Sequence, residues 1–247
     1  CELYKYLHAN GGQAFVHYEN ADLMAYAAHI QSAIYYGEHP DADCVGRLLS
    51  ADWYLRFQWE NSYRLMLRAP QIETKLYGRY NFVNLLAAAC VARYLSVPYE
   101  KINAALAAYA PANNRSQLLE QGGNRIILDA YNANPHSMQA AVENLANIAA
   151  PLRVAVLGDM FELGEAASEE HLALLALLRE KGIEKALLCG PLFGEHAMAF
   201  PEFAFFDSLE ELKAKVPISS FQEALLLIKG SRGMAMEGYL KAEAEGS

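Results

Sequence analysis

RIILDAYNANPHSM, Arg125 to Met138, is the stretch whose reading decides the fold. Ile126-Ile127-Leu128 is an apolar run rich in β-branched residues, short enough to be one buried strand. Asp129 ends it, and Tyr131-Asn132-Ala133-Asn134 makes a polar turn. Asn134 as N-cap with Pro135 at the first helical position specifies a helix start, and an amphipathic pattern runs from Ser137 toward Ile148. A strand thus carries an Asp, a Tyr and two Asn to the mouth of a helix, the place where open α/β sheets bind ligands. A capped turn with no ligand satisfies the same pattern, so the rest of the chain has to decide.

Downstream, strand-like runs alternate with helical ones. Val154–Leu157, Ala186–Cys189, Phe203–Phe206 and Leu225–Ile228 are separated by helical patterns near 168–180, 193–199 and 208–214, with a last one near 231–243. That rhythm predicts a Rossmann-like α/β domain with a mostly parallel sheet and helices on both faces. The residues that end its strands, Asp129, Asp159, Gly190, Asp207 and Lys229, gather along one sheet edge. Ser208 and Glu211 explain Asp207 as part of a capping box. Gly158-Asp159-Met160-Phe161-Glu162-Leu163-Gly164 is longer than a cap requires, and structural and functional readings of Asp159 and Glu162 are evenly matched. Lys229-Gly230-Ser231-Arg232 puts two cations and flexible backbone at a strand end, which suits a phosphate or carboxylate.

Upstream the texture differs. A helix over 2–8, a strand over 13–18, a helix over 21–30 and a strand over 33–36 lead into short alternating runs from Cys44 to Gly78, among them YRLMLRA. These predict an antiparallel ribbon on the flank of a mixed sheet. Helices over 81–95 and 99–109 follow. Pro111-Ala112-Asn113-Asn114 is the expected boundary, giving domains 1–112 and 113–247. Asn81 and Asn84, spaced i and i+3, share a helix face where their amides could meet a purine edge or cap the helix. Arg115 is placed to reach across a domain cleft.

A net charge of −9 over 247 residues argues against non-specific nucleic-acid binding, which needs concentrated Lys and Arg. Any anionic ligand therefore depends on local basic clusters. The four cysteines show no CxxC spacing; Cys90 and Cys189 are expected as buried thiols in a reducing cytosol. The histidines show no metal-ligand spacing, and most are expected at the surface or in turns. No run is long enough to span a membrane.

Together, Gly78-x-Tyr80-Asn81-x-x-Asn84-x-x-Ala87-Ala88-Ala89, Asn114-Arg115, LDAYNANPxSM at 128–138, LGDMxELG at 157–164 and Lys229-Gly230-Ser231-Arg232-x-Met234-x-Met236-Glu237 resemble the Mur ligases in kind and order. The DAYNANPxSM and LGDMxELG stretches are most similar to the type that adds D-alanyl-D-alanine to UDP-N-acetylmuramoyl-tripeptide. The resemblance implies ATP and Mg2+ as cofactors and a cytoplasmic ligase of peptidoglycan precursor synthesis that works through an acyl phosphate. It implies adenine contacts from Asn81 and Asn84, a ribose contact from Asp129, and a catalytic approach of Arg115 to the phosphates. Tyr131, Asn132, Asn134, Asp159, Glu162, Lys229, Ser231 and Arg232 would line the cleft where the acyl intermediate meets the dipeptide.

Two departures stand out. Tyr80 occupies a position that is often His in the family. No G-x-x-x-x-G-K-[ST] phosphate loop occurs in the chain, and the UDP-sugar-binding domain is absent. The family's carbamylated lysine would fall just before Cys1. The expectation is the distal part of a central ATPase domain plus a complete C-terminal domain, inactive without the preceding part of the same polypeptide. The alternatives are a diamino-acid-adding Mur ligase, a folylpolyglutamate synthase relative, or a non-catalytic module with a nucleotide-type fold.

Overall fold

The computed structural model describes residues 2–28, 30, 32–61, 69–111 and 114–240, with the His8 side chain excepted. The chain divides into two compact units, Cys1–Tyr109 and Ala110–Ser247.

In the first unit, helices α1 (Glu2–Ala9) and α2 (Ala21–Ala27) alternate with strands β1 (Ala14–His17) and β2 (Ala33–Gly37). Strands β3 (Cys44–Ala51), β4 (Leu55–Glu60) and β5 (Ile72–Glu73) follow, then helices α3 (Arg79–Tyr94) and α4 (Tyr99–Ala108). The sheet order is β1-β2-β3-β4-β5. Its first three strands pair in parallel, and β3, β4 and β5 form the expected antiparallel ribbon. Alternation drives β4: Leu55, Phe57 and Trp59 are buried, with Arg56 exposed between the first two. Those three meet Phe82, Leu85, Leu86 and Ala89 of α3 in one core. The run YRLMLRA falls almost wholly outside the described residues, as do Ala112 and Asn113 of the expected boundary.

The second unit is built around β7 (Asn124–Asp129). Its sheet runs β10 (Ala204–Phe206), β9 (Lys185–Cys189), β8 (Leu152–Gly158), β11 (Ala224–Lys229), β7, β6 (Gln117–Gln121). All neighbours pair in parallel except the β6/β7 hairpin. All six residues of β11 are buried, as befits a central strand covered on both faces. Strand β6 is an addition to the expected alternation. Its sequence, QLLEQ, is half exposed, and the hairpin is closed by Gly122-Gly123, both with positive φ.

Helix α5 (Pro135–Asn147) starts as the sequence requires: Asn134 Oδ1 accepts from Ser137 N–H at 2.8 Å, and Ser137 Oγ accepts from Asn134 N–H at 3.2 Å. Met138, Ala141, Val142 and Leu145 form its buried stripe. Helix α6 (Ala167–Glu180) follows the long loop after β8. The helix expected near 193–199 is a single turn, α7 (Pro191–Gly194), plus a 3-10 turn. Helix α8 (Leu209–Lys215) is capped by Ser208, and Glu211 reaches back to the N–H of Asp207 at 2.7 Å. The last expected helix is instead two 3-10 turns, Arg232–Met234 and Met236–Leu240, with Ala235 left-handed between them; residues 241–243 lie outside the described ones. The break has a cause. Met236 must fold under the strand ends, where a Cβ on Gly158 would sit 2.8 Å from its sulfur.

Candidate functional site

The carboxyl ends of β7 and β11 lie side by side, with Asp129 and Lys229 as register partners. Lys229 Nζ donates to Asp129 Oδ2 at 2.6 Å and to the carbonyl of Asn132 at 3.0 Å. Lys229 is 2% exposed and the Asp129 side chain 16%. The other carboxylate oxygen of Asp129 accepts from Ser116 N–H at 3.0 Å. One buried cation thus ties the end of β7 and the following turn to β11, and Asp129 ties in the segment that carries Arg115. Asn132 Oδ1 closes on Ala133 N–H, and Asn134 is occupied as the cap.

Tyr131 stands out of this turn, 40% exposed. The Arg115 guanidinium lies 3.6 Å from its ring centroid and that of Arg232 5.9 Å. Three residues from three separate segments therefore meet on one ring, and both guanidinium groups belong to exposed residues. Arg232 also stands 3.6 Å from Glu237. Arg115, expected to reach out of its own domain, is engaged within its own unit.

The LGDMFELG loop separates its two acids. Glu162 is exposed in a left-handed conformation (φ +66°). Asp159 is fully buried, accepting from Leu192 N–H at 3.0 Å and Phe193 N–H at 3.1 Å, at the start of α7. Burial raises its pKa above the carboxylate norm, opposed by those two N–H groups and by nearby His171. Gly190 is required here: its φ is +121°, and a Cβ on it would lie 2.3 Å from Asp159 Oδ2. The carboxylate of Asp159, expected on a ligand face, here fastens the β8 loop to α7. Ser231 is likewise 3% exposed, its Oγ accepting from Phe161 N–H at 2.8 Å and its N–H donating to Asp159 O at 3.1 Å. Lys229, Ser231 and Asp159 shape the edge, whereas Tyr131, Asn132, Glu162, Arg115 and Arg232 are exposed on it.

His171 is a residue of this edge that the sequence reasoning passed over. It is fully buried; Nε2 accepts from Met160 N–H at 3.0 Å and Nδ1 lies 2.7 Å from Ala167 O, which assigns its ring proton to Nδ1. Helical spacing from Ala167 was the available signal: a His one turn into α6 can face back to the loop before it.

In the first unit, α3 is capped by Gly78 (φ +80°) with no side-chain cap, so neither Asn81 nor Asn84 spends its amide on capping. Asn81 is buried, donating to Tyr77 O at 2.8 Å, and accepts weakly from Asn84 Nδ2 at 3.4 Å. Asn84 is exposed.

Residues 114–232 match the family model described as "Mur ligase, glutamate ligase domain". The UDP-N-acetylmuramoyl-tripeptide–D-alanyl-D-alanine ligase of Treponema pallidum is 33% identical over 183 residues, 70% of this chain and 39% of that protein. Residues 114–232 therefore carry a domain of the Mur ligase family. The corresponding enzyme of Escherichia coli K12 is 34% identical over 175 residues, 69% of this chain and 38% of the relative. The chain thus spans about two fifths of the length of the curated relatives it matches. Among solved structures, a MurF from Acinetobacter baumannii superposes with a TM-score of 0.79 at 24% identity, covering 97% of this chain and 52% of that one. MurF from Thermotoga maritima in complex with ADP gives 0.76 at 20%, over 93% and 52%. At those identities the likeness is one of fold.

Proposed function

We propose that this chain is part of an ATP-dependent acid–amino acid ligase that joins D-alanyl-D-alanine to UDP-N-acetylmuramoyl-tripeptide in peptidoglycan precursor synthesis. The single observation that carries a role for this edge is the convergence of Arg115 and Arg232 on Tyr131. In a chain of net charge −9 it concentrates exposed guanidinium groups where a phosphoryl group or carboxylate can be gripped bidentately.

In this reading ATP supplies the phosphoryl group that activates the tripeptide's terminal carboxylate, and the dipeptide amine displaces it. Arg115 stabilises charge on the transferring group from its perch on Tyr131. Asp129, held by Lys229 and Ser116, offers its remaining lone pairs to the ribose. Asn84, with Asn81 behind it, offers an amide to the adenine. Tyr131, Asn132, Glu162 and Arg232 form the face toward the incoming dipeptide, whose amine suits Glu162 and whose carboxylate suits Arg232. Among the described residues no group of three or more His, Cys, Asp or Glu side chains could hold a metal ion. The Mg2+ that such a transfer uses is therefore assigned to none of them, and no step here runs through it.

The 247 residues contain no phosphate loop, so the proposal has the whole protein supply that loop and the UDP-sugar-binding part, in the cytoplasm. No helix among the described residues is long and apolar enough to cross a membrane. The test is ATP-dependent ligation by the 247-residue chain and by a version extended upstream. The extended protein should ligate and the chain alone should not; ligation by the chain alone would overturn the division of labour. Offered competing amino acceptors, the extended protein should prefer D-alanyl-D-alanine. A preference for diaminopimelate or glutamate would reassign it to another branch of the family.

A further inference from the structure

Two thiols in the first unit play no part in the ligase reading. Cys44 opens β3 and Cys90 lies on α3, in the core that joins the sheet to that helix, and they are 1% and 4% exposed. Their side chains are hydrogen-bonded to each other. The contact is held from both sides, because α3 presses closely on β3: a Cβ on Gly46 would come within 2.8 Å of Phe82 and 2.9 Å of Leu86. Both thiols also line one cavity of about 310 Å³, together with Asp43, Arg93, Tyr94 and Ser96. A buried pair with a route to a small reagent differs from Cys189, which lies in β9 within a closed core and is pushed up to about 12 by burial.

The two thiols are not equivalent. The hydrogen bond from Cys44 lowers the Cys90 pKa, against burial and the charge of Asp43, and the same bond and burial hold Cys44 protonated. Arg93, one turn along α3, brings a positive charge to the same cavity.

We propose that Cys44 and Cys90 form an oxidation site at which a small hydroperoxide closes an internal disulfide between β3 and α3. The Cys90 thiolate attacks the O–O bond, forming a sulfenic acid and releasing an alcohol or water once the leaving oxygen takes a proton. Cys44 then attacks the sulfenic sulfur, its proton leaving with the hydroxyl group as water. The dithiol loses two electrons and the peroxide bond takes them up. Because Asn81 and Asn84 lie near the start of α3, the bond fixes the helix that carries them, and a dithiol reductant reopens it to the two thiols. The site stands whether or not the ligase reading holds.

The experiment uses the 247-residue chain with Cys1→Ser to remove the terminal thiol. Hydrogen peroxide should consume two thiols per chain, leave Cys189 free, and give a Cys44–Cys90 cross-linked peptide on non-reducing digestion, reversed by dithiothreitol. Cys44→Ala should leave a sulfenic acid on Cys90 that dimedone traps; Cys90→Ala should slow peroxide consumption at least ~10-fold. The wild-type peptide map stands by itself if a variant fails to fold. A cross-link that appears only in denaturant, or oxidation of Cys189 as fast as Cys90, would overturn the proposal.

Discussion

Lys229 and Asp129 are 100 residues apart in sequence and form a 2.6 Å ion pair between register partners of two neighbouring parallel strands. The pair is anchored on both partners: Asn132 O accepts a further hydrogen bond from the ammonium, and Ser116 N–H donates to the other carboxylate oxygen. Its function is positional. It brings the segment before β6, the turn after β7 and the end of β11 to a common point, and the two arginines on Tyr131 are carried by the first and last of these.

Lys229→Met should therefore cost about 3–5 kcal/mol, because it leaves Asp129 as a poorly solvated charge without its partner. Asp129→Asn alone should also destabilise, since it strands a buried ammonium. The double variant should recover much of the loss, as a coupled pair requires. Urea unfolding of the four proteins at neutral pH measures this; two additive single losses would refute the coupling.

Gly190→Ala tests the fit of Asp159. The backbone there is one that side chains rarely adopt, and the new methyl would meet the carboxylate at 2.3 Å. A loss above ~2 kcal/mol is expected from strain and displacement together. Gly194→Ala, whose added methyl meets nothing within 4 Å, is the control and should change stability little.

How much of this was written in the sequence depends on the range of each interaction. The start of α5 was legible because Asn134, Pro135 and Ser137 act within one turn. The parallel sheet was legible because strands buried on both faces must be apolar throughout, as Ala224–Ile228 is. Strand β6 was missed because an edge strand half open to water needs no such pattern. The fates of Asp159 and Lys229 were illegible for another reason: an acid or a lysine at a strand end looks alike whether it faces a ligand or a partner across the sheet. His171 was hidden among histidines that resemble it in sequence and differ only in what folds over them.

Tyr131→Ala and Arg232→Ala should separate binding from folding. Tyr131 is 40% exposed and the Arg232 side chain 63%, so each variant should stay within about 1 kcal/mol of wild type in unfolding. In the full-length ligase each should lower kcat/KM for the acyl transfer by about 10-fold or more, as expected for loss of a charged contact to the reacting groups. Tyr131→Phe keeps the ring on which the guanidinium groups stack and should keep most of the activity. If Tyr131→Phe fell as far as Tyr131→Ala, the hydroxyl and not the stacked ring would be the operative group.

The pH dependence of stability should carry the mark of Asp159. Its folded pKa is raised above the ordinary 3.8, chiefly by burial, which the N–H groups of Leu192 and Phe193 offset only in part. A group so raised binds its proton more tightly folded than unfolded. Its favourable contribution is complete below the unfolded value and is lost as pH rises through the folded one. Stability contributed by this site should then fall with rising pH in the window just above 3.8, the reverse of a salt-bridged carboxylate. Asp159→Asn, which never ionises, should remove that fall while keeping one acceptor for the start of α7. Urea titrations of both proteins from pH 3 to 7, compared as a difference, isolate the effect from other titrating groups. A difference that stayed flat across that window, or ran the other way, would show that the two N–H donors outweigh burial and hold the carboxylate ionised.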